Sequence, residues 1–388
     1  MYGQINKLFI IGNGFDLSHG LKTKYSDFID NFWEWEKTRI QTSNNFIRGA
    51  NGYAYDDEIL NIKTPKILND LQNEYFSHSA KGFQWIMYLE SGPGSSIWKF
   101  GGSTSSKVII TIKNVFLKKI TEMLNLNNWV DIEGIYYSVL KNCFSSEYEK
   151  SAKSNYYISN LINDFSHIRS LLEDYLIKTT KNQIKIIPSI LDKFNHIIQP
   201  NLYPGNDKIN DNDIILFLDF NYTNTVNVYY EYFKNLISQE ISCIHIHGEI
   251  DNANNPIIFG YGDELDEDHK KIESINNKQY LENEKSVNYA KTPNYRNLLR
   301  FIDAYPFDVY IMGHSCGKSD RTLLNSIFEH KNCKTIKSFY HIDENGINDQ
   351  DDRIMNLYVN FNDKSLFRAK VIDKTNCEPL LEQHTSPL

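Results

Sequence analysis

Short apolar segments that run directly into glycines and polar side chains constrain the fold of this chain most. The first is Leu8–Ile11, which is followed at once by Gly12-Asn13-Gly14. A continuous apolar run of this length is typical of a parallel strand that is buried on both faces, and the glycines allow a tight turn. Unusual residues follow later apolar segments in the same way, which predicts a sheet with chemistry at its strand ends.

Five further segments have the composition of short strands, and helical stretches separate several of them. They are Ile214–Phe220, Ile241–His247, Pro256–Tyr261, Phe307–Met312 and Thr335–His341. Strands that alternate with helices, here predicted at Tyr222–Leu236 and Thr322–His330, indicate a doubly wound parallel sheet. The predicted fold class is α/β, with a mostly parallel, Rossmann-like sheet.

The middle of the chain has a different pattern. Apolar residues recur at helical spacing in Ile59–Tyr75, Val108–Leu126 and Tyr156–Ile177, with Gly- and Ser-rich loop signatures at 91–96 and 101–106. We therefore expect a large, mainly helical insertion in an α/β core. The expected bounds are 1–50 and 211–388 for the core, 51–210 for the insertion and 262–300 for a polar surface insert.

Charge and cysteine content narrow the class of protein. The chain has 388 residues, of which 49 are acidic and 41 basic, and this balance argues against a nucleic-acid partner. Five cysteines without a C-x-x-C pair argue against a disulfide framework and a zinc site, as expected in a reducing cytoplasm. No segment approaches the roughly 20 apolar residues of a membrane span. We expect a cytoplasmic protein with no membrane partner.

The first and last strand-end clusters suit a phosphate-bearing ligand. Gly12 and Gly14 let the backbone approach an anion, although Leu17 stands where a dinucleotide fingerprint requires glycine. The alternative is a plain turn in which Asp16 caps a helix. Gly313 to Asp320 lacks the P-loop spacing, and Gly313-x-Ser315-x-Gly317 formally matches a nucleophile elbow with too few strands after it.

The two middle clusters carry candidate catalytic side chains. Asn221, after Ile214–Phe220, has an amide that can hold a ribose hydroxyl or a water, whereas helix capping explains one such residue but not both Asn221 and Asn224. Strand alternation predicts that His245 and His247 lie on one face, where His247 could act as a general base. Metal binding by this pair ranks lower because no third ligand follows at the usual spacing.

These motifs resemble the bacteriophage abortive infection AbiH family. The opening segment Ile10–Phe28 (IGNGFDLSHGLKTKYSDF), Phe220–Thr225, His245–Glu249 and Gly313–Asp320 match its landmarks in order. The resemblance spans nearly the whole chain and implies an antiviral protein that responds to infection. The expected partners are a small nucleotide ligand and either a phage-derived trigger or further copies of this chain in a homo-oligomer.

The order of motifs is more distantly similar to sirtuin-like domains, which bind NAD. That similarity implies that Gly12 and Gly14 bind the phosphates, that Asn221 holds the ribose or a water, and that His247 acts as the base. NAD or a related nucleotide would be the substrate or ligand, and no further cofactor is expected. The sequence departs from the sirtuin pattern at Asn13 and at Thr223, and it lacks the four-cysteine zinc ribbon of deacetylase sirtuins. The full set of expected ligand-binding residues is Gly12, Asn13, Gly14, Asp16, Tyr222, Thr223, Asn224, Gly248, Gly313, His314, Ser315 and Asp320.

Three functions remain open at this point. The first is an effector that cleaves NAD or a related nucleotide at the N-glycosidic bond, with His247 and Asn221 as catalytic residues. The second is a non-catalytic nucleotide sensor that signals to a partner. The third, ranked last, is a nuclease in which Asp16, Asp219 and Asp320 gather a divalent cation.

Overall fold

The computed structural model describes most of the chain. The described residues are 4–42, 47–49, 52–64, 90–92, 95–99, 107–126, 132–148, 158–181, 184–199, 212–262, 267–275 and 277–382. Contacts divide the chain into two compact units, one of residues 1–23 and 173–388 and the other of residues 24–172.

The described strands are, in chain order, β1 (Asn6–Ile11), β2 (Ile47–Gly49), β3 (Gly52–Asp56), β4 (Leu60–Thr64), β5 (Glu90–Gly92), β6 (Ser95–Lys99), β7 (Lys107–Ile112), β8 (Ile215–Asp219), β9 (Ile241–His245), β10 (Phe307–Met312) and β11 (Cys333–Phe339). The described α-helices are α1 (Asn13–Ser18), α2 (Tyr25–Thr42), α3 (Val115–Leu126), α4 (Ile132–Tyr148), α5 (Ile158–Thr179), α6 (Pro188–Ile198), α7 (Asn227–Leu236), α8 (Glu267–Glu273), α9 (Lys285–Tyr289), α10 (Asn294–Ala304), α11 (Arg321–Phe328), α12 (Gln350–Val359) and α13 (Lys364–Lys370).

The first unit is built on a five-stranded, wholly parallel sheet with the order β11-β10-β1-β8-β9. The chain begins at the central strand β1, moves outward through β8 and β9, and then returns to the other side of β1 at β10. The strand order therefore reverses between β1 and β10, which is where open α/β sheets form a ligand crevice. This sheet confirms the predicted fold class.

Both faces of the parallel sheet are covered by helices, because the strands are apolar on both sides. One face buries Phe9 and Phe217 against α6 and α7, with the rings of Phe9 and Phe217 stacked 5.2 Å apart. The opposite face buries Leu8 and Val309 against α10 and α11. Period-two alternation along each strand sends its neighbouring side chains into these two separate cores.

The second unit contains a six-stranded antiparallel sheet with the order β2-β3-β4-β7-β6-β5. This differs from the helical interpretation of 59–75 and 108–126, since β4 and β7 pair with Ile62 opposite Ile110. Both strands are rich in β-branched residues, and long-range pairing decided their conformation over local periodicity. The predicted helix α3 is present but begins only at Val115. Residues 65–75, the remainder of the predicted helix 59–75, and the predicted loop 101–106 lie outside the described residues.

Two predictions after β9 also differ from the structure. Pro256–Tyr261 is not a ladder strand: only Tyr261 forms an isolated bridge, to Glu284, while the Ile258 amide donates to the His247 carbonyl at 2.6 Å. The segment therefore folds back on the turn that follows β9. The 262–300 segment, expected at the surface, has buried residues that include Tyr280, Asn283 and Lys285.

None of the helices in the described part of the chain combines the length and apolar character needed to cross a membrane.

Candidate functional site

The turns that follow β1 and β10 lie in direct backbone contact. The Gly12 amide donates to the Met312 carbonyl at 3.1 Å, and the Gly14 amide donates to the Gly313 carbonyl at 2.8 Å. A Cβ on Gly14 would lie 2.8 Å from the Gly313 oxygen, and Gly313 itself has a φ of +77°. The glycines therefore allow the two turns to approach closely between β1 and β10, where the strand order reverses; we call this place the switch point. The amides of Gly12 and Gly14 already donate to backbone carbonyl oxygens. The helix that follows them, α1, has only six residues.

Asp16 is the centre of a buried polar network, which we call the Asp16 network, formed with Asn221, Thr223 and Thr225. The Thr223 hydroxyl donates to Asp16 Oδ2 at 2.6 Å, and the Asn221 amide donates to Asp16 Oδ1 at 3.3 Å and to the Gly12 carbonyl at 3.1 Å. Asp16 does not cap α1, contrary to the alternative considered from the sequence. Burial raises its pKa to about 6, against the lowering effect of the threonine hydroxyls.

Asp219 and His245 lie beside this network at the ends of β8 and β9. They are register partners, and Asp219 Oδ2 lies 3.3 Å from His245 Nδ1. Burial, followed by the charge of Asp16, raises the pKa of Asp219 well above its usual value, and burial lowers the pKa of His245. His245 Nε2 donates to Asn227 Oδ1 at 3.1 Å. Both ionisable groups are therefore held towards their neutral forms.

His247 lies in a different environment from His245, which corrects the prediction that the two share a face. The strand ends at His245, and the Gly248 amide closes a turn onto the His245 carbonyl at 3.1 Å. Gly248 has a φ of +80°, and a Cβ there would lie 2.1 Å from the Pro256 oxygen. Because this turn replaces the strand, alternation no longer applies to His247.

His247 belongs to a second group of side chains, the Asp320 cluster, made of His247, Lys285, Tyr289, His314 and Asp320. Asp320 Oδ1 lies 2.9 Å from Lys285 Nζ and 3.3 Å from His247 Nε2, and its Oδ2 lies 3.5 Å from His314 Nε2. His247 Nε2 also lies 3.0 Å from the Tyr289 hydroxyl. One carboxylate is thus surrounded by three nitrogen-bearing side chains.

The charges in the Asp320 cluster oppose the effect of burial on the carboxylate. Burial alone would raise the pKa of Asp320, but Lys285, His247 and His314 together lower it well below its usual value. Burial, followed by the charge of Lys285, lowers the pKa of His247. The cluster therefore combines an ionised carboxylate with a neutral imidazole at neutral pH. His314 keeps its proton on Nε2, because its Nδ1 accepts from the Cys316 amide at 3.0 Å.

The Asp320 cluster borders an open cavity of about 330 Å³. The lining residues are Gly262, Lys285, Ser286, Tyr289, Ala290, Tyr295, Ser319, Asp320, Thr322 and Leu323. Tyr289 lies nearly parallel to both Tyr295 and His247, with interplanar angles of 2° and 5°. This volume is at the lower end of the range for small-ligand pockets, about 300–1,000 Å³. An aromatic wall, a carboxylate and several hydroxyls give the cavity a lining complementary to a small, polar, partly planar molecule.

Helix α12 holds the turn that carries His314 by three of its carbonyl groups. Arg353 donates to the His314 oxygen at 3.1 Å, Asn356 to the Ser315 oxygen at 3.0 Å, and Asn360 to the Cys316 oxygen at 2.8 Å. Spacing of three to four residues puts these donors on one helix face. They stabilise the turn in a conformation in which Cys316 has a φ of +53°.

The structure separates the two predicted catalytic residues. Asn221 belongs to the Asp16 network and His247 to the Asp320 cluster. The ring of Phe220 packs against the Asp320 cluster, with its centroid 5.1 Å from that of the His247 ring and 4.3 Å from that of the His314 ring. Of the other expected ligand-binding residues, Tyr222 donates to the Ile258 carbonyl at 3.3 Å. Asn13, Asn224 and Ser315 are exposed and do not line the cavity.

Lys285 and Tyr289 are the site residues that sequence reasoning missed. They lie in α9, within a charged segment. That segment has no apolar run of the kind that marked the other strand ends in the sequence. The Lys285 amide donates to the Tyr261 carbonyl at 2.8 Å, so the place of α9 depends on a long-range bridge. A signal did exist in the residue types of this segment. Tyr280, Tyr289 and Tyr295 are large aromatic residues, which are unusual in a solvated surface loop.

Across the described ranges, no group of three or more His, Cys, Asp or Glu side chains is arranged to hold a metal ion. Asp16 and Asp219 lie at one network and Asp320 at the other, so the three carboxylates of the nuclease hypothesis are not brought together.

A family model described as bacteriophage abortive infection AbiH matches residues 8–342 of the chain. That range includes the strands from β2 to β11, all of β1 except its first two residues, and every residue of the Asp16 network and the Asp320 cluster. Comparison with curated proteins gave no match.

Proposed function

Because the chain belongs to the bacteriophage abortive infection AbiH family, we propose that it is an effector that hydrolyses the N-glycosidic bond of NAD or a related nucleotide. Membership makes it a phage-defence protein. Depletion of a nucleotide on infection is a direct way for such a protein to stop phage replication. The proposed ligand enters the cavity at the Asp320 cluster.

The observation that carries this proposal is the ionised Asp320 carboxylate at the wall of the cavity. Its side chain is 11% exposed, while the Lys285 side chain that pairs with it is 3% exposed. A glycosidic bond breaks through an oxocarbenium-like centre, and a fixed carboxylate stabilises the positive charge that develops there. Lys285 keeps the carboxylate ionised and fixes the position of Oδ1.

His247 is suited to receive the proton of the attacking water. The bond between ribose C1′ and the nicotinamide nitrogen breaks, and its electron pair remains on nicotinamide. The water oxygen then bonds to C1′, and one water proton passes to His247 and later to solvent, so that nicotinamide, ADP-ribose and a proton are formed. A neutral His247 at pH 7 has a lone pair on its unprotonated ring nitrogen that can accept this proton, and its contact with Asp320 stabilises the imidazolium.

The proposal does not depend on the phosphate role that the sirtuin-like similarity gave to Gly12 and Gly14. Their amides already donate to the carbonyls of Met312 and Gly313. It also does not require Asn221 at the reacting atoms, because its side-chain amide is bonded within the Asp16 network. The ligand is placed at the cavity instead.

A non-catalytic nucleotide sensor is the second candidate. It is favoured by one observation, that both oxygens of Asp320 already have nitrogen partners in the Asp320 cluster. Such a preformed arrangement also serves saturable binding without chemistry. The two candidates differ in turnover and not in the site they use.

Purified protein should be incubated with NAD while free nicotinamide is followed by chromatography. We expect release by the wild type, and a loss of at least about 100-fold in Asp320→Asn and His247→Gln, the range for removing one charge-stabilising or general-base group. Asp308→Asn is the matched control, since Asp308 is also paired with a lysine, Lys7 at 3.0 Å, but lies at the opposite end of β10. Asn221→Ala tests the role predicted from the sequence.

Saturable NAD binding without nicotinamide release would favour the sensor. Neither binding nor release, in a protein that is folded and has been screened with adenine and guanine nucleotides, would overturn the nucleotide proposal. Release that is unaffected by Asp320→Asn would remove the Asp320 cluster from the mechanism.

A further inference from the structure

We propose that the cavity admits only the phosphate-free nucleoside end of its ligand, a planar base with its ribose, and leaves the phosphates outside. This inference rests on the proposed function, because it specifies which part of the nucleotide the same cavity recognises. It assigns to the site a selectivity for ribonucleosides as a substrate class.

The charge balance of the cavity wall is the first support. Among the lining residues that the structure describes, Lys285 is basic and Asp320 is acidic, and the others are uncharged. The two charges lie 2.9 Å apart and cancel. A phosphate in this cavity would meet a lysine that is already neutralised and a carboxylate that repels it, which argues against a phosphate subsite there.

Burial of the lysine is the second support. The Lys285 side chain is only 3% exposed, and its ammonium also lies 3.5 Å from the Ser319 carbonyl. A phosphate that displaced Asp320 from this ammonium would break a buried ion pair. Removing one partner of such a pair leaves an uncompensated charge, so the exchange is unfavourable.

The shape and polarity of the wall match a nucleoside. Tyr289 and Tyr295 lie parallel, with ring centroids 5.7 Å apart, and both face the cavity beside the hydroxyl-bearing Ser286, Ser319 and Thr322. Aromatic faces bind the π-face of a planar base, and hydroxyl groups match the hydroxyls of ribose. The neighbouring basic residue Lys318 is exposed and is not part of the wall.

The test compares pairs of probes that differ only by phosphate: nicotinamide riboside with nicotinamide mononucleotide, and adenosine with AMP. Calorimetry on the wild type should give dissociation constants within about tenfold for the members of each pair, and this ratio should change little between 50 and 300 mM salt. Lys318→Ala is the matched control and should leave the ratio unchanged.

Two variants then change the charge of the wall. Asp320→Asn leaves Lys285 uncompensated and should move the ratio in favour of the phosphorylated probe by more than tenfold. The double variant Asp320→Asn with Lys285→Met restores neutrality and should return the ratio to the wild-type value, which also serves if the single variant does not fold.

Wild-type protein that prefers the phosphorylated probe by more than 100-fold, with a steep salt dependence, would overturn the inference while leaving nucleotide cleavage intact. Failure to bind any of the four probes, in a protein that still releases nicotinamide from NAD, would also overturn the inference alone. Absence of both NAD binding and nicotinamide release would overturn the proposed function itself.

Discussion

Asp219 and His245 face each other as register partners across two adjacent parallel strands, and neither reaches solvent to an appreciable extent. With Asp16 they place two carboxyl groups and an imidazole in a buried environment near the ends of β8 and β9. Burying ions without full compensation is expensive, and such groups respond by shifting their pKa towards the neutral form. Each of these groups should therefore make stability depend on pH in a direction that follows from its own pKa shift.

We expect Asp16 to contribute stability that is lost as the pH rises from about 4 to above 6, whereas the lowered pKa values of His245 and His247 act in the opposite direction. Burial raises the pKa of Asp16 to about 6 from 3.8, so the folded state binds this proton more tightly than the unfolded state. The stabilisation is fully present below about pH 4 and is lost as the pH rises through 6, a change of about 3 kcal/mol. The raised pKa of Asp219 acts in the same direction.

Asp16→Asn should remove this contribution in urea unfolding experiments at pH 4 to 7, so that stability falls less, or rises more, with pH than in the wild type. The same slope in Asp16→Asn as in the wild type would contradict the assignment. Asp308→Asn, in the same sheet but outside the Asp16 network, controls for loss of any one carboxylate.

The pH profile of activity should report His247. Burial and the charge of Lys285 lower its pKa, so it stays neutral and active below its usual 6.5. Lys285→Met removes the like charge and should move the acidic limb of the profile to higher pH. Lys318→Met changes an exposed lysine and should not move it. Superimposable profiles for wild type and Lys285→Met would show that another group controls the limb.

Gly313→Ala should destabilise the protein far more than Gly346→Ala. Both glycines have a positive φ, +77° and +78°, which is strained for alanine by about 1–2 kcal/mol. Only at Gly313 would the new Cβ collide with backbone, 2.1 Å from the Phe15 nitrogen, whereas Gly346 has open space. Thermal unfolding should separate the two variants by a further 1 to 3 kcal/mol, roughly the usual overpacking range. Equal losses would mean that the switch-point turns are not tightly packed.

Asn360→Ala should weaken ligand binding at a distance. Asn360 is fully buried and donates to the carbonyls of Cys316 and Asn356, each at 2.8 Å. Its loss leaves a buried carbonyl of the His314 turn unsatisfied, at about 1–3 kcal/mol. Calorimetric titration should show weaker binding of nicotinamide riboside, while Asn362→Ala, on the surface next to it, should bind normally. Unchanged binding in Asn360→Ala would show that α12 does not position the site.

Much of the parallel sheet could be predicted from the sequence. β1, β8, β9, β10 and β11 all coincide with predicted apolar segments within two residues at most ends, because a strand buried on both faces needs a continuous apolar run. The same reasoning found His247, His314 and Asp320, since polar residues directly after such strands must gather at one edge.

The remainder depended on contacts between distant segments. No local pattern shows that Lys285 pairs with Asp320, because α9 is placed by a bridge from Glu284 to Tyr261. In the second unit, pairing of β4 with β7 overrode a helical periodicity.

The sequence by itself determined the apolar strands, their ends and the residue types found there, since these follow from local burial and turn chemistry. Only the tertiary structure decided how those residues divide into two networks. The left-handed turn at Gly248 sends His247 away from His245, and the backbone contact between Gly14 and Gly313 closes the switch point. Both depend on packing between segments far apart in the chain, and local sequence carries no information on which segments will meet.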